Sequence, residues 1–291
     1  MSQKLAASQT ALKNYPNIEN LDIKLLVLDI DGTISGESNQ IKEPVKQAIK
    51  AAQASGVQVA IATGRMYRSA LRFHQDVGSN LPLIAYQGAW IQDTITQKVH
   101  RHLPVSIETA HQLLDYFEQP ELRSLLSVHF YINDQLYVRE LTRETQIYAG
   151  RSNIEPIAVG DLRTVLTTAP TKVLALSDDI ALIENLLGSL RQRYTPAELY
   201  LTTSVATFFE ATNPLVNKGT AVRYLAEEIL GLNAANVMAI GDNFNDLEML
   251  QYAGVGVAMG NAPADVQAIA NWVAPTVELD GAAVAIKTFI L

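Results

Sequence analysis

Cysteine is missing from this 291-residue chain altogether. That excludes a disulfide framework, a thiolate metal site and cysteine nucleophilic catalysis, and it fits a reducing, cytoplasmic setting. Positive charge is in short supply: 22 Lys and Arg face 30 Asp and Glu, a net charge of -8. Such a balance argues against partnership with nucleic acid or an anionic membrane surface. An anionic ligand would need local help from a cation, a lysine or backbone N–H groups. Long apolar runs are absent too, none approaching the ~18 consecutive residues of a membrane span. The opening MSQKLAASQTALKNYPNIEN lacks the apolar stretch of a signal peptide, and residues 1–22 read as an N-terminal extension. Neither internal repeats nor low-complexity runs are found.

What is present is a hydrophobic fraction of 48% against 18% charged residues, enough for a well-filled core. The length exceeds the usual single-core size, so two domains are expected. From Leu25 onward short apolar runs alternate with helix-like segments. LLVL (Leu25 to Leu28) is β-favouring; Pro44, Val45, Ala48, Ile49 and Ala52, closed by Gly56, have helical spacing with proline-in, glycine-out punctuation. VQVAIA (Val57 to Ala62) is a second strand and LPLIAY (Leu81 to Tyr86) a third, which implies parallel βαβ units in an open sheet. The pattern then changes to a helix around Ala110–Phe117, two strands meeting at Asn133-Asp134, a strand from Lys172, a helix around Leu182–Leu190 and a strand near Leu199–Thr202. Parallel grammar returns with a helix after Lys218, VMAI (Val237 to Ile240), a short helix from Asp246 to Tyr252 and VGVAM (Val255 to Met259). We expect an α/β fold: a Rossmann-like parallel-sheet core domain built from residues 1–87 and 204–291, with an inserted α+β domain, 88–203.

The strongest chemical signal is Asp29-Ile30-Asp31-Gly32-Thr33, directly after a buried strand. Residues two apart in a strand face the same way, so two carboxylates are delivered beyond its C-terminal end, where open α/β sheets bind ligands. One can attack phosphorus while the other gives and takes protons. An EF-hand reading fails, because Ile34 occupies the position where that loop needs glycine. Thr63, with Gly64 beside it, offers a hydroxyl at the end of the second strand. Lys218 stands at the start of a helix, where the dipole disfavours a cation unless an anion is near. Gly241-Asp242-Asn243-Phe244-Asn245-Asp246 places further acids at another strand end. Asn245 or Asp246 can cap the next helix, but capping leaves Asp242 unexplained. Asp29 with Asp242 suits magnesium, which prefers a few carboxylates plus water and phosphate oxygens.

In this order and on these strand ends, the four elements resemble the haloacid dehalogenase superfamily. ATGR, NKG, GDNFNDLEML and VAMGNA look like its Cof-like branch, whose large α/β cap (type IIB) sits where the insert lies. One departure is Gln87-Gly88-Ala89, where that branch usually has Asn-Gly-Ala. The resemblance implies a phosphoric monoester hydrolase that acts on small phosphorylated metabolites through an aspartyl-phosphate. Asp29 would be the nucleophile and Asp31 the acid/base. Thr63, Gly64, Lys218 and Asn245 would bind substrate, and Asp246 would support. Mg2+ would sit on Asp29, the Asp31 carbonyl and Asp242. A phosphomutase with the same phosphoaspartate, or a non-catalytic metabolite-binding protein, are the alternatives, and a monomer or small homo-oligomer is expected. His100 and His102, with no third ligand nearby, read as a surface pair. His129, Tyr131 and Tyr137 read as strand packing.

Overall fold

A computed structural model describes residues 21–291, so the expected extension lies outside it except for Leu21 and Asp22. The chain divides into two compact units. One holds the described residues up to Thr63, Arg72–Leu83 and Lys218–Leu291; the other holds Gly64–Leu71 and Ile84–Asn217. The expected fold class is found: a parallel α/β sheet in the first unit and antiparallel sheets with helices in the second.

The first unit is built on Leu25–Leu28, whose four residues are all fully buried. Apolar side chains on both faces suit a central parallel strand. It pairs in parallel with Gln58–Ile61 on one side and Val237–Gly241 on the other, and Val255–Ala258 and Trp272–Val273 extend the sheet. The register sets Leu28 beside both Ile61 and Ile240. The chain therefore leaves all three strands at one edge, just before Asp29, Thr63 and Asp242. Helix Glu43–Ala54 buries Val45, Ala48, Ile49 and Ala52, the stripe read from the sequence, and packs against helix Gly281–Phe289. Lys218–Arg223 is helical and continues as a π-helical segment, Tyr224–Ile229. It packs closely on helix Leu247–Tyr252, since a Cβ on Gly219 would meet the Glu248 backbone at 2.6 Å.

In the second unit a six-stranded sheet runs in the order Tyr200–Thr202, Phe208–Thr212, Lys172–Leu176, Ser127–Ile132, Gln135–Val138, Ile157–Ala158. The hairpin turn falls at Asn133 and Asp134, both with positive φ (52° and 55°), as a two-residue turn between twisted strands requires. Val128, Phe130, Ile132, Val173, Ala175, Phe209 and Ala211 pack into one core cluster with Leu113, Leu114 and Phe117 of helix Ile107–Phe117 and Ile183, Leu186 and Leu190 of helix Ile180–Arg193. The alternate residues His129, Tyr131, Lys172 and Glu210 are polar and equally buried. Lys172 Nζ is 3.0 Å from Glu210 Oε2.

Two expectations need correction. LPLIAY reads as a third parallel strand, but its strand, Leu83–Ala85, belongs to a separate three-stranded sheet with Trp90–Gln92 and Val99–His102. A short apolar run says that a strand is buried, not which neighbours it has. The sequence pattern puts residues 204–217 in the core domain. Phe208–Thr212 instead pairs with Lys172–Leu176 and Tyr200–Thr202, so the second compact unit runs on to Asn217. Among the described residues no helix is long and apolar enough to cross a membrane.

Candidate active site

Asp29 follows the central strand directly, and its N–H donates to the Ile240 carbonyl at 3.1 Å. Its carboxylate is buried. Immediately after it the chain turns tightly, with the Ile30 carbonyl accepting from the N–H groups of Thr33, Ile34 and Ser35. Gly32 has φ +77°, and a Cβ there would run into the Asp242 carboxylate. The glycine thus supplies both a left-handed backbone and the room in which Asp242 lies against the turn.

Lys218 is fully buried. Its ammonium donates to Asp29 Oδ1 at 2.6 Å and to Asp246 Oδ1 at 2.5 Å. The other Asp246 oxygen accepts from the backbone N–H groups of Asp242 (2.8 Å) and Asn243 (3.1 Å). Asp246 therefore ties the loop at the end of Val237–Gly241 to the lysine, and Asn243, whose side chain accepts from Phe244 N–H, is the capping residue. Asn245 is buried in the same turn, and Thr63 is buried two residues beyond Ile61. Asp31 is partly exposed in the turn after the central strand. Asp29, Asp242, Asp246 and Lys218 are thus brought together, with Asp31 two residues from Asp29. Gly64 falls in the second compact unit.

Negative charge dominates this site. Burial raises the Asp29 carboxyl, Lys218 opposes the rise, and Asp246 and Asp31 add to it, so its pKa is pushed up to about 7. Burial, with Asp29 and Asp246 beside it, pushes Asp242 to about 8 despite Lys218. Burial works against the Lys218 ammonium, but Asp246 and Asp29 more than offset this and hold its pKa above the usual lysine range. One lysine does not balance these carboxylates. Oxygen atoms of Asp29, Asp242 and Asp246 lie within 4.8 Å of one another, a spacing that could hold a metal ion. Asp246 spends one oxygen on Lys218 and the other on two backbone N–H groups. Hard oxygen donors with excess negative charge suit a small divalent cation.

Asn261, which the motif reading passed over, touches the site. Its Nδ2 donates to Asp242 Oδ2 at 3.1 Å and to the Gly32 carbonyl at 2.9 Å. It stands in the VAMGNA stretch, but an isolated exposed amide carries no spacing signal. The histidines read as a surface pair lie on the strand Val99–His102, where the His102 ring rests 4.5 Å from that of Trp90 and its Nε2 meets Thr171 Oγ1 at 3.0 Å.

A family model for haloacid dehalogenase-like hydrolases matches residues 26–286. The chain is 30% identical over 275 residues to 5-amino-6-(5-phospho-D-ribitylamino)uracil phosphatase YitU of Bacillus subtilis, covering 91% of this chain and 97% of that protein. It is 29% identical to the putative phosphatase YxeH of the same organism over 276 residues, 92% of this chain and 98% of the relative. The crystal structure of TM0651 from Thermotoga maritima superposes with a TM-score of 0.77 at 27% identity, covering 91% of this chain and 97% of that one.

Proposed function

Since the chain belongs to the haloacid dehalogenase-like hydrolase family and is a phosphatase, we propose that it hydrolyses small phosphorylated metabolites, sugar phosphates or similar phosphomonoesters, with Asp29 as nucleophile and Mg2+ as cofactor. The observation that carries this reading is the buried Asp29 carboxylate, held at 2.6 Å by Lys218 and flanked by Asp242 at the end of the neighbouring strand. Asp29, Asp242 and the Asp31 carbonyl would hold the cation. The cation supplies positive charge against the phosphoryl oxygens and against the carboxylates themselves.

The chain's own groups then divide the work. An Asp29 oxygen attacks phosphorus, and the bond from phosphorus to the leaving oxygen breaks. That oxygen takes the Asp31 proton, so an alcohol departs and an aspartyl-phosphate remains. In the second half Asp31 takes a proton from water, the water oxygen attacks phosphorus, and the acyl-phosphate bond breaks to return Asp29 and inorganic phosphate. Lys218, Thr63 and Asn245 bind the phosphoryl group. Lys218 also opposes the rise of the Asp29 pKa and so favours its anionic form, and Asp246 holds Lys218 in place. Such fixed charges need no reorganisation as the reaction proceeds.

The test is phosphate release from a panel of sugar phosphates, nucleotides and phosphorylated pyrimidine precursors, including the compound named for the YitU relative. The metal-stripped protein should be inactive and recover with Mg2+. Asp29→Asn should keep its fold and lose turnover. Full activity in EDTA, or substantial activity in Asp29→Asn, overturns the mechanism.

A further inference from the structure

We infer that Asn261 is a positioning residue for the divalent-cation site, holding the Asp242 carboxylate and the Asp31-Gly32 turn in the mutual arrangement that a cation requires. The inference rests on the reading of Asp29 and Asp242 as cation ligands given above.

Asn261 lies three residues beyond the strand Val255–Ala258. Its amide makes three hydrogen bonds to three separate segments. Nδ2 donates to the Gly32 carbonyl (2.9 Å) and to Asp242 Oδ2 (3.1 Å), while Oδ1 accepts from the Val277 N–H (2.9 Å). Chemistry leaves no freedom in this orientation. A flipped amide would set its oxygen against a carbonyl and a carboxylate, and its N–H groups against the Val277 N–H. Val277 thus aims the donor end of Asn261 at the acids.

Both Nδ2 hydrogens go to loops that carry the proposed ligands. Asp242 is one ligand, and Gly32 directly follows the residue whose carbonyl is another. The same carboxylate already lies against Gly32, where a Cβ would strike it, and Thr33 Oγ1 stands 3.5 Å from its other oxygen. Asn261 closes the arrangement from the exposed side with one charge-assisted bond and one neutral bond. Mere stabilisation is a weak account of it, because exposed hydrogen bonds add about 1 kcal/mol each. Holding two ligand loops in register is the job of an outer-shell group, and losing such a group typically weakens metal binding about 10- to 100-fold.

The experiment titrates Mn2+ into the full metal-free chain by calorimetry, without substrate. Asp242→Asn should remove binding; binding that survives it overturns the cation reading itself. With that control met, Asn261→Ala should bind Mn2+ about 10-fold or more weakly. Its Mg2+ requirement for turnover should rise by a similar factor, while kcat at saturating Mg2+ approaches that of the parent. A merely structural role would lower thermal stability and leave the Mn2+ titration unchanged. Val277→Pro is the second variant. It deletes the N–H that orients the amide, at the first position of a 3-10 turn, where proline is tolerated. A smaller loss in the same direction is expected, and this variant decides the matter if Asn261→Ala does not fold. An Mn2+ affinity equal to the parent's, in whichever variant decides, overturns the inference.

Discussion

Lys218 and Asp246 form an ion pair, Nζ to Oδ1 at 2.5 Å, in which both side chains are completely buried. Removing one partner of such a pair strands the other charge, which typically costs about 3–5 kcal/mol. Lys218→Met should therefore lower stability by about that amount and depress turnover about 10²- to 10³-fold on every substrate, because transition-state charge is common to all of them. Adding Asp246→Asn to Lys218→Met should restore part of the stability and none of the activity. Urea denaturation of the single and double variants checks this. A double variant with the activity of the parent would remove Lys218 from the chemistry.

Asp31 should show its role through the leaving group. Asp31→Asn should lose about 10²- to 10⁴-fold on alkyl phosphates, whose leaving oxygen needs a proton, and far less on p-nitrophenyl phosphate. Steady-state kinetics on both ester classes is the measurement. Equal losses would contradict the acid/base assignment.

Gly32→Ala tests the turn. Its φ of +77° costs an alanine about 1–2 kcal/mol, and the new Cβ meets the Asp242 carboxylate. The strain alone would lower the melting temperature. Displacement of Asp242 should in addition weaken divalent-cation binding, which a titration of the purified variant reads directly.

His129 gives a pH dependence with a definite sign. The ring is fully buried; Nε2 meets Thr145 Oγ1 at 2.8 Å, and Tyr131, Tyr148 and Lys172 stand around it. Burial, helped by Lys172, lowers its pKa to about 3. The unfolded chain takes up the proton near pH 6.5, so below that pH it binds more protons than the folded chain, and stability falls as the pH drops towards 3. Between pH 6.5 and 5 the loss is about 1.6 kcal/mol, the slope growing from half to nearly all of about 1.4 kcal/mol per pH unit. His129→Gln should flatten that part of the profile. Denaturant midpoints at the two pH values decide it: an equally steep variant excludes His129 as the cause.

Residues whose meaning is local could be read in advance. Asp29 and Asp31 straddle a single residue after an apolar strand, and Asp242 follows another, so strand periodicity alone sends them to one sheet edge. Glu210 shows the limit. A charge within FFEAT hid the strand Phe208–Thr212, because Lys172, the group that makes its burial tolerable, lies far away in sequence. His129 and Tyr131 alternate with the apolar Val128, Phe130 and Ile132. The alternation was visible, but nothing in it says that the polar side is buried as deeply as the apolar one. Asn261 was silent for another reason, since its partners come from three distant segments.

The central strand also sets an order of assembly. Leu25–Leu28 is made long before one of its two neighbours, Val237–Gly241. At about 5–20 residues per second the wait is on the order of 10–40 s. Throughout it, a fully apolar strand has one edge without a partner, a template for wrong pairing. The six-stranded sheet is drawn from one continuous stretch and can close in the meantime. Protection of nascent chains halted before Val237 should therefore begin in that sheet, with the central strand dependent on chaperones until Val237–Gly241 arrives.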